Sequence, residues 1–190
     1  MTPPASASTQ PGPAWIRRAP NALSALRIGL AVWLPWSPEA ARLPVVLVAG
    51  ATDFLDGFLA RRYSATSAAG GILDAVADKL FTLSAIATLA VSRQIDPWQA
   101  PVALARDAAV AAAFGVALAR GRASAFLGRS PSRAGKWATA FFFLWFAVAL
   151  ADAPAWADLA VFLPAGALSL IAAGSYARAL VLALREEAVR

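Results

Sequence analysis

The 190-residue chain contains no cysteine and no histidine. The first absence excludes disulfides, thiolate metal sites and cysteine nucleophiles. The second removes every Ser-His or Cys-His catalytic arrangement and the commonest zinc ligand. Charge is scarce as well: 15% of the residues are Asp, Glu, Lys or Arg, where a soluble domain carries roughly a quarter. Any chemistry must therefore rest on Asp, Glu, Lys, Arg, Ser, Thr or Tyr. What fills the chain instead is apolar. Hydrophobic residues make up 59% and the mean hydropathy is +0.61. Long apolar runs with few charges read as membrane spans, which excludes an ordinary soluble domain and a disordered chain.

Residues 1–13 (MTPPASASTQPGP) are Pro, Ser, Thr and Ala without periodicity and are expected to be a disordered N-terminal segment. They lack the basic n-region and apolar stretch of a signal peptide. Trp15, Ile16, Arg17 and Arg18 form a short amphipathic piece suited to an interfacial helix. Six apolar segments follow, at about 22–36, 43–60, 71–91, 98–119, 137–150 and 156–184. The expected fold is therefore all-α: a membrane bundle of six transmembrane helices behind a short interfacial helix, forming one domain over 14–190.

Charge placement tests that count. With loops assigned alternately to two sides, one side holds Arg17, Arg18, Arg61, Arg62, Arg120, Arg122, Arg129, Arg133, Lys136, Arg185 and Arg190; the other holds only Arg42 and Arg93. The asymmetry satisfies the positive-inside rule with both termini cytoplasmic. The net charge of +6 thus faces anionic lipid headgroups at the bilayer. No nucleic-acid partner is expected, because the basic residues flank apolar spans and no binding motif accompanies them. Trp15, Trp36, Trp98, Trp137 and Trp156 fall near span ends, as an aromatic belt would.

Most of the acidic residues lie in or beside the second, third and fourth spans. Asp53 and Asp56 are spaced i, i+3, and Asp74 and Asp78 are spaced i, i+4. Each pair points both carboxylates to one helix face. A carboxylate inside a span costs at least ~2.5–3.5 kcal/mol, so four near one membrane face need compensation. Four carboxylates without His or Cys form a hard-oxygen site suited to Mg²⁺, Mn²⁺ or Ca²⁺. Two divalent ions would balance four negative charges, and paired metals recur in phosphoryl chemistry. Gly57 and Ala60 allow close approach of a ligand or of another helix. Arg61 can grip a diphosphate or anchor the chain at the cytoplasmic face. Gly70 opens the third helix. A cation transporter using the same carboxylates is the alternative from a different class.

Taken together, these residues read Asp53-x-x-Asp56-Gly57-x-x-Ala60-Arg61-x₈-Gly70-x₃-Asp74-x₃-Asp78. This resembles the signature of the CDP-alcohol phosphotransferase family at every fixed position. Pro20-Asn21-Ala22-Leu23-Ser24-x-x-Arg27 resembles the start of that family's first span. The resemblance implies a membrane phosphatidyltransferase that moves the phosphatidyl group of CDP-diacylglycerol to an alcohol and releases CMP. It implies two divalent cations, Mg²⁺ or Mn²⁺, held by Asp53, Asp56, Asp74 and Asp78, with Asp78 also the general base. Asp53, Gly57, Ala60, Arg61 and Gly70 would bind the CDP donor, and Thr66 and Ser67, in the turn between the acidic helices, are weaker additions. The resemblance also implies a second copy of the chain as partner, since homodimers are common among relatives.

The stretch Leu73 to Lys79 and the Arg106-Asp107 pair resemble the phosphatidylglycerophosphate synthase and cardiolipin synthase branches. Gly135-Lys136-Trp137-Ala138-Thr139 resembles a Gly-Lys-x-Lys-Thr element of the former, with Ala138 in place of the second Lys. Glycerol 3-phosphate is the leading acceptor, ahead of phosphatidylglycerol, inositol phosphate and serine. Its phosphate would be received by Arg106 and Lys136, with Arg129 or Arg133. The alternative for Arg106 is a structural pair with an aspartate such as Asp107. The expected location is a bacterial inner or plasma membrane, with the active site facing the cytoplasm.

Overall fold

The computed structural model describes residues 14–63, 68–120 and 133–188. Among the described residues every regular element is helical. The elements are α1 (Ala14–Trp33), a 3₁₀ turn (Leu34–Trp36), α2 (Glu39–Tyr63), α3 (Ala68–Val91), α4 (Gln99–Ala119), α5 (Arg133–Leu150) and α6 (Ala155–Ala188). Among the described residues six α-helices thus stand where six apolar segments were expected, all but α4 reaching into flanking residues. The segment 1–13 lies outside the described residues.

One expectation changes. The interfacial piece and the first apolar segment are a single helix, α1, with Pro20 inside it. Proline removes one helical donor. Here the helix continues, and Ser24 Oγ donates a hydrogen bond of 3.1 Å to the Pro20 carbonyl oxygen one turn back. A second result bears on the span count. Among the described residues, one stretch, Ala155–Arg178, is long and apolar enough to cross a membrane by length and composition, with a mean hydropathy of 1.7; Trp137–Leu150 is a shorter apolar helix. The charged residues within α2, α3 and α4 lower the hydropathy of those helices.

The chain divides into two compact units, Met1–Ala85 and Ile86–Arg190. In the first, α1 packs on α2 around Ala31, Leu34, Val45, Val46 and Ala49, and Ala77 and Phe81 of α3 are also buried. Ser84 Oγ of α3 donates to the Ala31 carbonyl of α1 at 2.6 Å, tying α3 to α1 at the end remote from the aspartates. The outward side of α3 is apolar: Ile72, Val76, Leu80 and Leu83 are exposed at spacings of four, four and three. A helix in water shows the reverse pattern.

In the second unit α6 packs against both α4 and α5. Small residues permit the approach to α4. A Cβ on Gly166 would come within 3.0 Å of Val102 Cγ1, and the buried Ser169 lies one turn further along. Close packing through such residues is usual between membrane helices. Toward α5 the contact is aromatic: the Trp145 and Phe162 ring centroids are 4.7 Å apart and those of Trp145 and Phe146 5.3 Å. The turn that leads into α4 is held by the Gln99 side chain, whose Oε1 accepts from the Asp96 backbone N–H at 2.7 Å. Arg93 closes α3 in the left-handed region, at φ 55°, while the Gln94 N–H donates to the Leu89 carbonyl and the Arg93 N–H to the Ala90 carbonyl. That is the double bond of a Schellman motif.

Candidate active site

The first unit carries the acidic residues of the motif. Asp53 lies on α2 and Asp74 and Asp78 on α3. A third helix joins them: Arg27, from the middle of α1, is fully buried and places Nη1 3.1 Å from Asp53 Oδ1 and 3.1 Å from Asp74 Oδ1. Two carboxylates from different helices therefore converge on one nitrogen. Burying a guanidinium is costly unless it is paired and hydrogen-bonded, so the pairing decides where this part of α1 can sit.

Asp78 lies one helical turn beyond Asp74. Its Oδ2 is 3.4 Å from Lys79 Nζ. Its Oδ1 is buried with no hydrogen-bond partner. An orphaned carboxylate oxygen is uncommon in a folded protein. It suits a divalent cation, as does the all-oxygen, histidine-free donor set. Among the described residues no three carboxylates gather closely enough to form a metal-holding group.

The remaining expected donor residues divide by what is described. Asp56, Gly57, Ala60 and Arg61 continue α2 beyond Asp53, so helical spacing puts Asp56 and Ala60 on the same side as Asp53; their side chains lie outside the described residues. Thr66 and Ser67 also lie outside. Gly70 is in the first turn of α3 and half-exposed.

In the second unit Arg106, on α4, is buried. Its Nε donates to Asp107 Oδ1 at 3.1 Å, and its Nη1 donates to Thr139 Oγ1 of α5 at 3.1 Å. The pair with Asp107 is thus formed. Thr139 brings with it the stretch that begins at Gly135 and Lys136. Arg133 and Lys136 occupy the first turn of α5, with side chains outside the described residues, and Arg129 lies outside altogether.

Three partners escaped the sequence reading: Arg27, Thr139 and Asp158. Arg27 is visible in the sequence as a cation within an apolar segment, which demands an acidic partner. Thr139 carried no signal beyond its place in the Gly135–Lys136 stretch. Asp158, in the first turn of α6, accepts from Gln99 Nε2 at 2.6 Å and from Trp145 Nε1 at 2.7 Å. It is a structural clamp among α4, α5 and α6.

The chain belongs to the CDP-alcohol phosphatidyltransferase family, whose sequence pattern matches residues 17–184. Members of this family generally use a divalent metal. The chain is similar to a cardiolipin synthase (CMP-forming) of Streptomyces coelicolor, 36% identical over 107 residues, which is 51% of this chain and 50% of that protein. It is also similar to the CDP-diacylglycerol–glycerol-3-phosphate 3-phosphatidyltransferases of Escherichia coli K12 and Blochmanniella floridana. The first is 46% identical over 71 residues, covering 36% of this chain and 37% of that protein. The second is 41% identical over 63 residues, covering 33% and 32%. The matched stretches therefore span half, or about a third, of the length of these curated relatives.

Proposed function

We propose that this chain is an integral membrane phosphatidyltransferase that transfers the phosphatidyl group of CDP-diacylglycerol to glycerol 3-phosphate, giving phosphatidylglycerophosphate and CMP. The observation that carries the reading is the intact Asp53-to-Asp78 motif on α2 and α3 within a family match over 17–184. The acceptor is supported by the two relatives whose names specify glycerol 3-phosphate. Phosphatidylglycerol is the second reading, favoured by the longer match to the Streptomyces cardiolipin synthase.

The chain is proposed to cross the membrane six times as one domain over 14–190, with both termini and the active site on the cytoplasmic side and a second copy as partner. Among the described residues the shortest α-helix, α5, has 18 residues, about 27 Å at 1.5 Å per residue, which nearly matches a hydrocarbon core of about 30 Å. Exposed Ile72, Val76, Leu80 and Leu83 on α3, and exposed Trp36, Trp98, Trp137 and Trp156 near helix ends, support a lipid surround.

Asp53, Asp56, Asp74 and Asp78 are the proposed ligands of two divalent cations, Mg²⁺ or Mn²⁺. When bound, such ions neutralise the pyrophosphate and stabilise departing CMP. Asp78 takes the proton of the acceptor hydroxyl as its oxygen attacks the lipid-linked phosphorus. A new P–O bond forms to the acceptor, the bond to the bridging oxygen breaks, and that oxygen leaves with CMP. Gly57 and Ala60 let the CDP moiety lie close to α2, Arg61 pairs with the diphosphate, and Thr66, Ser67 and Gly70 complete the donor site. Arg106 and Lys136, with Arg129 or Arg133, receive the acceptor's phosphate. The bonds from Arg106 to Asp107 and Thr139 hold its guanidinium in one orientation for that task.

The direct test is CMP release by purified protein in detergent with CDP-diacylglycerol and Mg²⁺ or Mn²⁺. Release that requires glycerol 3-phosphate is expected. Release that requires phosphatidylglycerol instead selects the second reading, and no release with any acceptor from folded protein defeats both. Arg106→Ala is expected to raise the KM for glycerol 3-phosphate at least about tenfold, corresponding to ~1.4 kcal/mol of lost binding, with the KM for CDP-diacylglycerol little changed. Initial rates against each substrate measure both. An unchanged acceptor KM would leave Arg106 with only its structural pairs.

A further inference from the structure

We propose that Arg27 is a positioning residue for the cation-binding carboxylates: from inside the first unit it holds Asp53 of α2 and Asp74 of α3 convergent, so that their outer sides face a divalent ion. The inference rests on the metal reading given above and deepens it. Two observations carry it. Arg27 shares one nitrogen, Nη1, between Asp53 Oδ1 and Asp74 Oδ1 at 3.1 Å each. Exposure is also graded: the Arg27 side chain is 0% exposed, Asp53 31% and Asp74 48%.

That gradient separates positioning from competition. A cation that merely stands in for the metal would have to leave when the metal arrives. Arg27 is enclosed in the protein and anchored to the middle of α1, and a guanidinium keeps its charge at any accessible pH. Lys79 is the contrast: it is 39% exposed and reaches Asp78 from the more open side. Two carboxylates brought together without a fixed cation would repel each other and splay apart, which lowers metal affinity. With Arg27 behind them they are aligned before any metal binds, which is the preorganisation that a supporting contact around a metal site provides. Ser24, one turn earlier on α1, is buried and bonded to the Pro20 carbonyl oxygen, so α1 is held on the N-terminal side of Arg27 as well.

The test is a Mn²⁺ titration of purified full-length protein in detergent, read by the loss of free-Mn²⁺ electron paramagnetic resonance signal. CMP release is measured in parallel. Arg27→Gln is expected to weaken Mn²⁺ binding at least tenfold at neutral pH. Arg27→Lys, which keeps the charge but not the fork, is expected to recover part of the affinity. A purely structural role would change the folded fraction without moving the Mn²⁺ affinity of the folded protein isolated by size exclusion. If Arg27→Gln does not fold, Arg27→Lys carries the test, with weakened Mn²⁺ binding still expected. Native-like or tighter Mn²⁺ binding in a folded Arg27 variant overturns the proposal while leaving the metal reading intact. No Mn²⁺ bound by the native protein overturns the metal reading and this inference with it.

Discussion

Asp78→Asn is expected to lower kcat for CMP release by about 10²–10⁴-fold, the usual contribution of a positioned general base, while CDP-diacylglycerol binding largely survives. Asparagine keeps the volume of the side chain and one carbonyl oxygen. It loses the negative charge and cannot accept a proton at neutral pH. The site is sensitive to that exchange because Asp78 Oδ1 is buried without a hydrogen-bond partner. An Asn amide nitrogen placed there would need an acceptor, and an oxygen would be a weaker cation ligand than a carboxylate. The separation of kcat from donor binding distinguishes this outcome from general damage. Steady-state CMP release gives kcat, and protection of the protein against thermal aggregation by CDP-diacylglycerol gives binding. A kcat within about threefold of native, set against the loss expected of a base, would remove Asp78 from the proton-transfer role.

The second large effect falls on stability. Asp158→Ala is expected to destabilise the protein by about 2–6 kcal/mol, because it orphans two buried donors at ~1–3 kcal/mol each. Gln99 and Trp145 are both fully buried, and both give their side-chain N–H to the Asp158 carboxylate. The loss would loosen three helices at once, since Gln99 also holds the turn before α4 through the Asp96 N–H and Trp145 packs on Phe162. Asp158→Asn should lie between native and Ala, because one oxygen remains to accept. Midpoints of thermal aggregation in one detergent would rank the three. Assayed well below its midpoint, Asp158→Ala should retain near-native kcat, because Asp158 has no proposed part in the chemistry. Equal midpoints for all three proteins would show that the clamp contributes nothing.

Much of the candidate site was legible because helical spacing is a local property. Asp53 and Asp56 at i, i+3, and Asp74 and Asp78 at i, i+4, share faces wherever a helix forms, and α2 and α3 do form there. Helix ends were legible to within a few residues, since apolar runs stop where proline, glycine or charge begins. The join across Pro20 was not legible. A proline inside a helix usually signals an end, and its tolerance in α1 is a matter of the surrounding chain.

The sequence by itself determined the helical class, the six apolar segments, the acidic motif on two consecutive helices and the alternation of basic residues. All of these follow from composition and from periods of three and four residues. Only the tertiary structure decided which charges meet. Arg27 lies 47 residues from Asp74, Thr139 lies 33 from Arg106 and Asp158 lies 59 from Gln99. No local rule selects such partners. A buried charge or donor is costly until something neutralises it, and which group can do so depends on how the helices pack.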